Sequence, residues 1–405
     1  MACFYNFLGL GVKVGYFCKM QAIEVTTAAQ SKAFLELGVN LYHNDTNYIR
    51  PLDKDINEVF DREKNKAFKD GKVIRWLLQD NAGKNMGRIA AFVQPKYKNK
   101  GDQQPTGGVG FFECINNQQA ANLLFDVAKA WLQAQGMEAM DGPINFGERD
   151  KWWGLVIDGY EQPLYGMNYN PPYYKELFEN YGFQVFFYQN CYSRQVGGRL
   201  DERFYQAHEK LEKRGGFSAR MVDKNDLEKY AKDFVKVYNA AWAIHDGNKE
   251  MTEATALKLF KTMKPVLDPH VAWFCYYKDD PIAFYINLPD LNQIFKSFNG
   301  SFGILEKLRF LWFQKMGKFT KMVGIIFGVV PRFHGMGADY FMIVEAAKII
   351  QAKSAYNDTE LQWIGDWNPK INNIAKHLGF EVSRRLATYR YLFNRDAPFE
   401  RHPML

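Results

Sequence analysis

The stretch GIIFGVVPRFHGMG, residues 324–337, contains the sequence pattern that is most informative about the fold. Its first seven residues are apolar, rich in β-branched side chains and followed by Pro331, a pattern that predicts a buried strand. Gly335 and Gly337 come next, and a helical pattern begins directly after them. Glycine lets the backbone turn tightly and approach a ligand, while N–H groups at a helix start have no intrahelical partner. Together with the helix dipole, these donors predict a phosphate-binding loop.

The segment downstream continues in a fixed order. A second strand leads to Asn368, and Gly379-Phe380 lie eleven and twelve residues after it. This arrangement resembles the GNAT superfamily of acyl-CoA-dependent N-acyltransferases. That family places Gln or Arg, two residues, Gly, one residue and then Gly or Ala after its fourth strand, and Arg332, Gly335 and Gly337 match this signature. The family's second motif is an Asn followed by Gly-Phe at the spacing seen here.

The resemblance implies both an activity and a set of ligand contacts. The activity would be acyl transfer, N-acetylation in particular, from acetyl-CoA or another acyl-CoA to an amine, without a metal. The contacts would come from the end of the strand, the loop, the first helical residue and the motif Asn. These positions are Gly328, Val329, Val330, Arg332, Phe333, His334, Gly335, Met336, Gly337, Ala338 and Asn368. Backbone N–H groups of the first three would also stabilise the reaction's oxyanion, as the family's splayed fourth strand does.

An internal repeat extends this outline to the first half of the chain. The strand pattern at 108–115 is followed by an amphipathic helix that ends near Gly136. After a second strand, Asn170 and Gly182-Phe183 repeat the order of the second half. Two copies of one domain explain this, so the expected class is α+β, with two GNAT-like domains whose mixed, mostly antiparallel sheets are flanked by helices.

The expected domain boundaries follow from the repeat. Residues 1–19 form an N-terminal extension outside the fold, with translation starting near Met20 or the earlier residues dispensable. Residues 20–197 form the first domain, 198–216 a connecting segment, and 217–405 the domain with the acyl-CoA site. The first domain is expected to be degenerate and to serve as scaffold or to shape the acceptor site. Its strand is followed by Asn-Asn-Gln-Gln, which lacks the glycines needed to wrap a pyrophosphate.

Candidates for the acid and base chemistry are less clear in the sequence. N-acylation needs a base for the incoming ammonium and often an acid for the thiolate. Many relatives place a Tyr acid seven residues after the motif Asn, where this chain has Ala375. Tyr340 is a substitute, with core packing as the alternative. Glu113 and His245 are candidate bases, with a satisfied core carboxylate and an ordinary polar loop as their respective alternatives.

Composition restricts the partners. The formal charge of +7 is modest for 405 residues and suits a negatively charged CoA. The cysteines show no metal-binding spacing, which is typical of a reducing cytoplasm. The expected partner is a small-molecule or peptide amine, with neither nucleic acid nor membrane. The basic, aromatic segment 304–315 is expected to pack its apolar face on the sheet, with membrane or nucleic-acid contact as the alternatives.

Two other classes of function remain open at this stage. One is a non-catalytic protein that keeps the GNAT fold for ligand binding or interaction. The other is a Fem-like aminoacyl transferase, a group that also contains tandem GNAT-like halves.

Overall fold

The computed structural model describes residues 20–242 and 250–404. Its strands are β1 (Gln21–Glu24), β2 (Lys72–Gln79), β3 (Asn85–Val93), β4 (Thr106–Cys114), β5 (Ala139–Gly142), β6 (Leu155–Asp158), β7 (Gln184–Gln195), β8 (Phe217–Met221), β9 (Ala272–Tyr277), β10 (Asp280–Pro289), β11 (Lys321–Val329), β12 (Asp358–Gly365) and β13 (Glu381–Leu392). Its α-helices are α1 (Ala28–Leu41), α2 (Asp53–Val59), α3 (Gln118–Ala134), α4 (Tyr174–Tyr181), α5 (Glu202–Arg214), α6 (Leu227–Trp242), α7 (Glu253–Met263), α8 (Asn292–Phe295), α9 (Ile304–Lys315), α10 (Ala338–Lys353) and α11 (Pro369–His377). The candidate base His245 and the predicted extension before Met20 lie outside the described residues.

The predicted repeat is visible in the strand pairing. In each half, a run of antiparallel strands ends in a strand whose next neighbour is parallel to it: β4 beside β5, and β11 beside β12. A long helix connects each parallel pair, as a crossover between parallel strands requires. The predicted mixed, mostly antiparallel architecture flanked by helices is confirmed.

The two halves share one sheet, which the repeat alone did not predict. The strand order is β1-β2-β3-β4-β5-β13-β7-β12-β11-β10-β9-β8, with β6 paired to β13. The last strand of the chain therefore lies beside β5 of the first half, and β7 lies beside β12 of the second. Each half completes its sheet with a strand from the other, so the backbone hydrogen bonds at the junction tie the halves together.

The helix α10 is held on the sheet by an apolar face. Phe341, Met342, Ala346 and Ile350 are buried in the same cluster as side chains of β9, β10 and β11. Truncation of such a buried aromatic to Ala typically costs about 3–5 kcal/mol. This packing fixes the start of α10 relative to the end of β11, which is where the predicted phosphate loop lies.

The expectation for the segment 304–315 is wrong in part. The segment is helical as predicted, but of its side chains only Phe310 is buried, with Phe313 partly buried beside Phe319. Most of the large apolar residues of α9 point into solvent. The apolar pattern predicted a helix with an apolar face, but it could not show that most of this face has no partner in the described part of the chain.

Candidate functional site

The strands β11 and β12 separate at the centre of the second half. Their parallel pairing runs from Lys321 and Asp358 to Gly324 and Leu361 and then stops. The later part of β12 stays paired with β7 on its other side, and β11 continues beside β10. A gap therefore opens between the two strands toward their carboxyl ends.

The loop after β11 has the conformation that its glycines predict. Gly335 and Gly337 have φ values of +71° and +84°, in the left-handed region that other residues avoid. Gly337 is the N-cap of α10 and gives the helix no side-chain cap. A Cβ there would also lie 3.2 Å from the Ala207 Cβ of α5. The loop thus brings an uncapped helix start to the end of β11, the arrangement that binds phosphate.

One acidic side chain lies at this helix start. Asp339 is in the first turn of α10, where burial raises its pKa while hydrogen bonds from its own N–H and that of Tyr340 oppose the rise. A phosphate arriving here would compete with this carboxylate for the same donors.

The loop residues predicted to contact CoA differ in their exposure and in their partners. The Arg332 guanidinium is exposed and donates to the Asp280 carboxylate at 2.8 Å, an ion pair that a phosphate can replace at little cost. Phe333 points into the core instead. Ala338 is buried at the helix start, whereas Met336 is exposed on the loop.

Of the three backbone N–H groups predicted to stabilise the oxyanion, one faces the gap between β11 and β12. The Val330 N–H donates to the Ile282 carbonyl at 2.9 Å, so it is committed to β10. Because N–H groups alternate in direction along a strand, that of Gly328 also faces β10 and that of Val329 faces the gap. The His334 Nε2 lies 3.0 Å from the Val329 carbonyl oxygen. This contact lies on the gap side and holds the peptide bond between Val329 and Val330 in place. Val329 is therefore the strand residue best placed to donate to an oxyanion.

An apolar cavity of about 130 Å³ lies behind the gap. Its walls come from β7 and the segment after it, β10, β11, α10, β12 and α11, and most of them are hydrocarbon. They include Phe327, Ile343, Ala346, Ala347, Ile350, Leu361, Ile364, Ile371, Ile374, Ala375 and Leu378. Ala375, at the position examined in the sequence for a Tyr acid, is therefore a buried alanine that leaves room in the cavity.

Asn368, the predicted motif Asn, acts as a helix cap in the structure. The Asn368 side chain accepts a hydrogen bond from the Ile371 N–H at 3.3 Å and caps α11. The Asn368 backbone carbonyl oxygen also accepts a hydrogen bond from the Asn372 side-chain amide at 2.7 Å. This cap holds α11 at the wall of the cavity.

Tyr340 packs against the connecting segment. Its ring lies 4.0 Å from that of Phe204 on α5, centroid to centroid. This contact fits the packing alternative, and it places the hydroxyl on the α5 side of α10.

Glu113 lies inside the first half in a closed hydrogen-bond network. Its carboxylate accepts from the Tyr42 hydroxyl, from the Tyr174 hydroxyl at 2.8 Å and from Arg88 Nη2 at 3.3 Å. Burial raises its pKa, and the Arg88 charge opposes this. These partners are those of a satisfied core carboxylate, and we propose that its role is structural.

The sequence did not single out a second buried charge cluster. Glu360, at the last paired positions of β12, lies 3.0 Å from Lys321 Nζ and 3.9 Å from Arg384 Nε. Asp290 lies near both Lys321 and Glu360, and burial raises its pKa to about 6. These residues lie on three strands and one loop that are distant in sequence, so no sequence motif predicted the cluster.

Comparison with known proteins supports the topology. No protein-family model matches the chain. A bacterial ceramide synthase from Caulobacter vibrioides is 24% identical over 365 residues, which cover 89% of this chain and 94% of that protein. A tandem GNAT protein from the clavulanic acid biosynthesis pathway superposes with a TM-score of 0.54 and 8% identity, covering 94% of this chain and 100% of that one.

A second solved structure is matched over part of its length. It is a fungal multi-domain GH3 β-N-acetylglucosaminidase with a GCN5-related glucosamine N-acetyltransferase region, matched with a TM-score of 0.53 and 11% identity. The match covers 92% of this chain but 38% of that protein. Sequence motifs, strand order and both superpositions agree that this chain has the tandem GNAT fold.

Proposed function

We propose that the protein is an acyl-CoA-dependent N-acyltransferase that uses a fatty acyl-CoA. The proposal rests on one combination of features at β11 and α10. A glycine loop leads to an uncapped helix start, β11 and β12 separate toward their carboxyl ends, and an apolar cavity lies behind the gap between them. The loop suits the pyrophosphate of CoA, and the gap suits its extended arm.

The cavity argues for a long acyl group. An acetyl group needs almost no apolar volume, whereas a fatty chain gains about 0.8 kcal/mol for each methylene that leaves water. The alanines at 346, 347 and 375 keep this space open.

The acceptor we propose is a long-chain lipid amine. The support is the relative from Caulobacter vibrioides, a bacterial ceramide synthase that aligns over nearly the whole chain. The same cavity chemistry is consistent with an enzyme that joins an acyl chain to an apolar amine.

The reaction follows from the site geometry. The amine nitrogen attacks the thioester carbonyl carbon, and the Val329 N–H donates to the developing oxyanion. The C–S bond then breaks, the amide forms, and the amine's proton passes to solvent while the thiolate of CoA leaves. A thiol has a pKa of about 8.5, so the leaving sulfur does not require a strong acid, in agreement with the alanine at position 375.

The test is thiol release from palmitoyl-CoA and acetyl-CoA with sphinganine, a shorter alkylamine and a water-soluble amine. We expect release with palmitoyl-CoA and sphinganine. Calorimetric titration with CoA then tests the loop directly: Gly335→Val should weaken binding about 10- to 100-fold, since it blocks charge-assisted hydrogen bonds worth about 1.5–3 kcal/mol each.

The chain supplies a matched control for this substitution. Gly83, in the turn between β2 and β3, has φ +77° and, like Gly335, no atom within 4 Å of an added Cβ. Gly83→Val therefore imposes the same backbone strain without touching the loop, and CoA affinity should stay unchanged. Equal losses in both variants would contradict the loop assignment. CoA binding without thiol release for any amine would instead support a non-catalytic binding protein.

A further inference from the structure

The helix α9 displays an apolar face to solvent. Six large side chains are between 53% and 78% exposed: Ile304, Leu305, Leu308, Leu311, Trp312 and Met316. At about 100° per residue they occupy one continuous arc of roughly 140°. The opposite side carries Phe310 and Phe313, which fasten the helix to the aromatic side chains beneath it. The helix is therefore anchored by one face and presents the other.

Basic side chains lie beside this face and at its C-terminal end. At about 100° per residue, Lys307 and Arg309 flank the apolar arc, whereas Lys315 lies within it in the last turn. Lys318 follows the helix, and all four side chains are exposed. The Lys318 ammonium lies 4.4 Å from the Trp312 ring centroid. The acid within residues 303–318 is Glu306, and its carboxylate accepts the Gly303 N–H at 2.8 Å at the start of the helix. The apolar face thus carries a net positive charge, and the carboxylate within residues 303–318 is committed to a cap.

This combination selects a membrane surface over a protein partner. An apolar protein interface would bury the ammonium groups among the leucines, at the cost of their hydration. At a bilayer, the apolar side chains enter the acyl boundary while long basic side chains extend to the headgroups. Each Lys or Arg near an anionic leaflet adds further attraction.

We propose that α9 docks the protein peripherally on bilayers that contain anionic lipids. No helix in the described part of the chain is long and apolar enough to cross a bilayer. Docking would therefore place α9 along the membrane plane with its exposed face inserted.

The position of α9 gives this docking a direction. It precedes β11, whereas the glycine loop follows β11. The two ends of this nine-residue strand are roughly 26 Å apart at 3.3 Å per step, and α9 and the loop connect to opposite ends. In the proposed function, on which this step alone rests, the charged end of CoA would stay away from the anionic surface and a lipid amine would arrive from the membrane side.

Vesicle flotation tests the docking without any assay of activity. The vesicles are phosphatidylcholine alone, or phosphatidylcholine mixed with phosphatidylglycerol, with the full chain in each case. We expect flotation with the anionic vesicles. The double variant Leu308→Gln/Trp312→Gln should bind at least 100-fold more weakly, and Lys307→Gln/Lys315→Gln at least tenfold more weakly on anionic vesicles alone.

The control changes exposed apolar residues elsewhere. Met221 on β8 and Leu259 on α7 are 36% and 41% exposed, and Met221→Gln/Leu259→Gln should float like the original protein. Circular dichroism melting should be unchanged in every variant, because none of these side chains is buried. Calorimetric affinity for CoA without vesicles should also be unchanged, which separates failure of docking from failure of the CoA site.

Three results would overturn the proposal. One is no flotation of the original protein on anionic vesicles. Another is equal flotation of the Leu308→Gln/Trp312→Gln variant. The third is a dimer, measured by light scattering without lipid, that dissociates in that variant, since the face would then belong to a second copy of the chain.

Discussion

Replacement of Ala347 by Phe should convert a long-chain enzyme into a short-chain one. Ala347 lies on α10 and lines the apolar cavity behind the gap between β11 and β12. A phenyl ring at this position would occupy space in which we place the acyl chain. The acetyl group would not reach that space.

The size of the effect follows from the displaced methylenes. If the ring excludes about four of them, the loss is about 3 kcal/mol at 0.8 kcal/mol each. This corresponds to a roughly 200-fold decrease in kcat/KM for palmitoyl-CoA. For acetyl-CoA we expect a change of less than about threefold, so the ratio of the two values is the quantity to measure.

Ala352 on the same helix provides the control. It is exposed and is not among the residues that line the cavity. Ala352→Phe carries the same loss of helix propensity, about 0.5 kcal/mol, without filling the cavity. The assay is steady-state thiol release with both donors and one saturating amine. Equal losses for palmitoyl-CoA and acetyl-CoA in Ala347→Phe, or the same selectivity change in Ala352→Phe, would refute the assignment of the cavity to the acyl chain.

Two further predictions concern buried carboxylates. Glu113→Ala should lower the free energy of unfolding by about 3–5 kcal/mol, because it leaves Arg88 and the hydroxyls of Tyr42 and Tyr174 buried without their acceptor. Chemical denaturation checks this, and Glu113→Gln should change turnover less than about threefold, whereas a general base would lose about 10²–10⁴-fold. Asp290 has a pKa raised from 3.8 to about 6 by burial, so its protonated form is favoured in the fold and its contribution to stability is lost as pH rises from about 4 through 6. Asp290→Asn should therefore stabilise the protein at pH 7 by about 1–3 kcal/mol and flatten the dependence of unfolding free energy on pH between 4 and 6, as urea titrations would show, and a destabilised variant at pH 7 would contradict this sign.

The sequence determined the local elements of the site. The apolar run ended by Pro331, the two glycines and the helical pattern after them predicted the strand, the loop and the helix, all of which the structure contains. These signals are local because positive φ angles and side-chain periodicity depend on a few neighbouring residues. The repeat of the same order in the first half also predicted the shared architecture.

Strand pairing between the two halves and the burial of individual side chains could be read only from the tertiary structure. The exchange of β7 and β13 between the halves depends on pairing between residues more than about 160 positions apart, for which no local pattern exists. The same distance effect explains Glu113, whose partners come from three separate elements. It also explains the cavity, whose walls come from six. For α9, the sequence supplied the apolar and basic residues, but only the packing of the neighbouring aromatic side chains determined that the apolar face stays exposed. Periodicity specifies a face of a helix, whereas burial of that face depends on what the rest of the chain places against it.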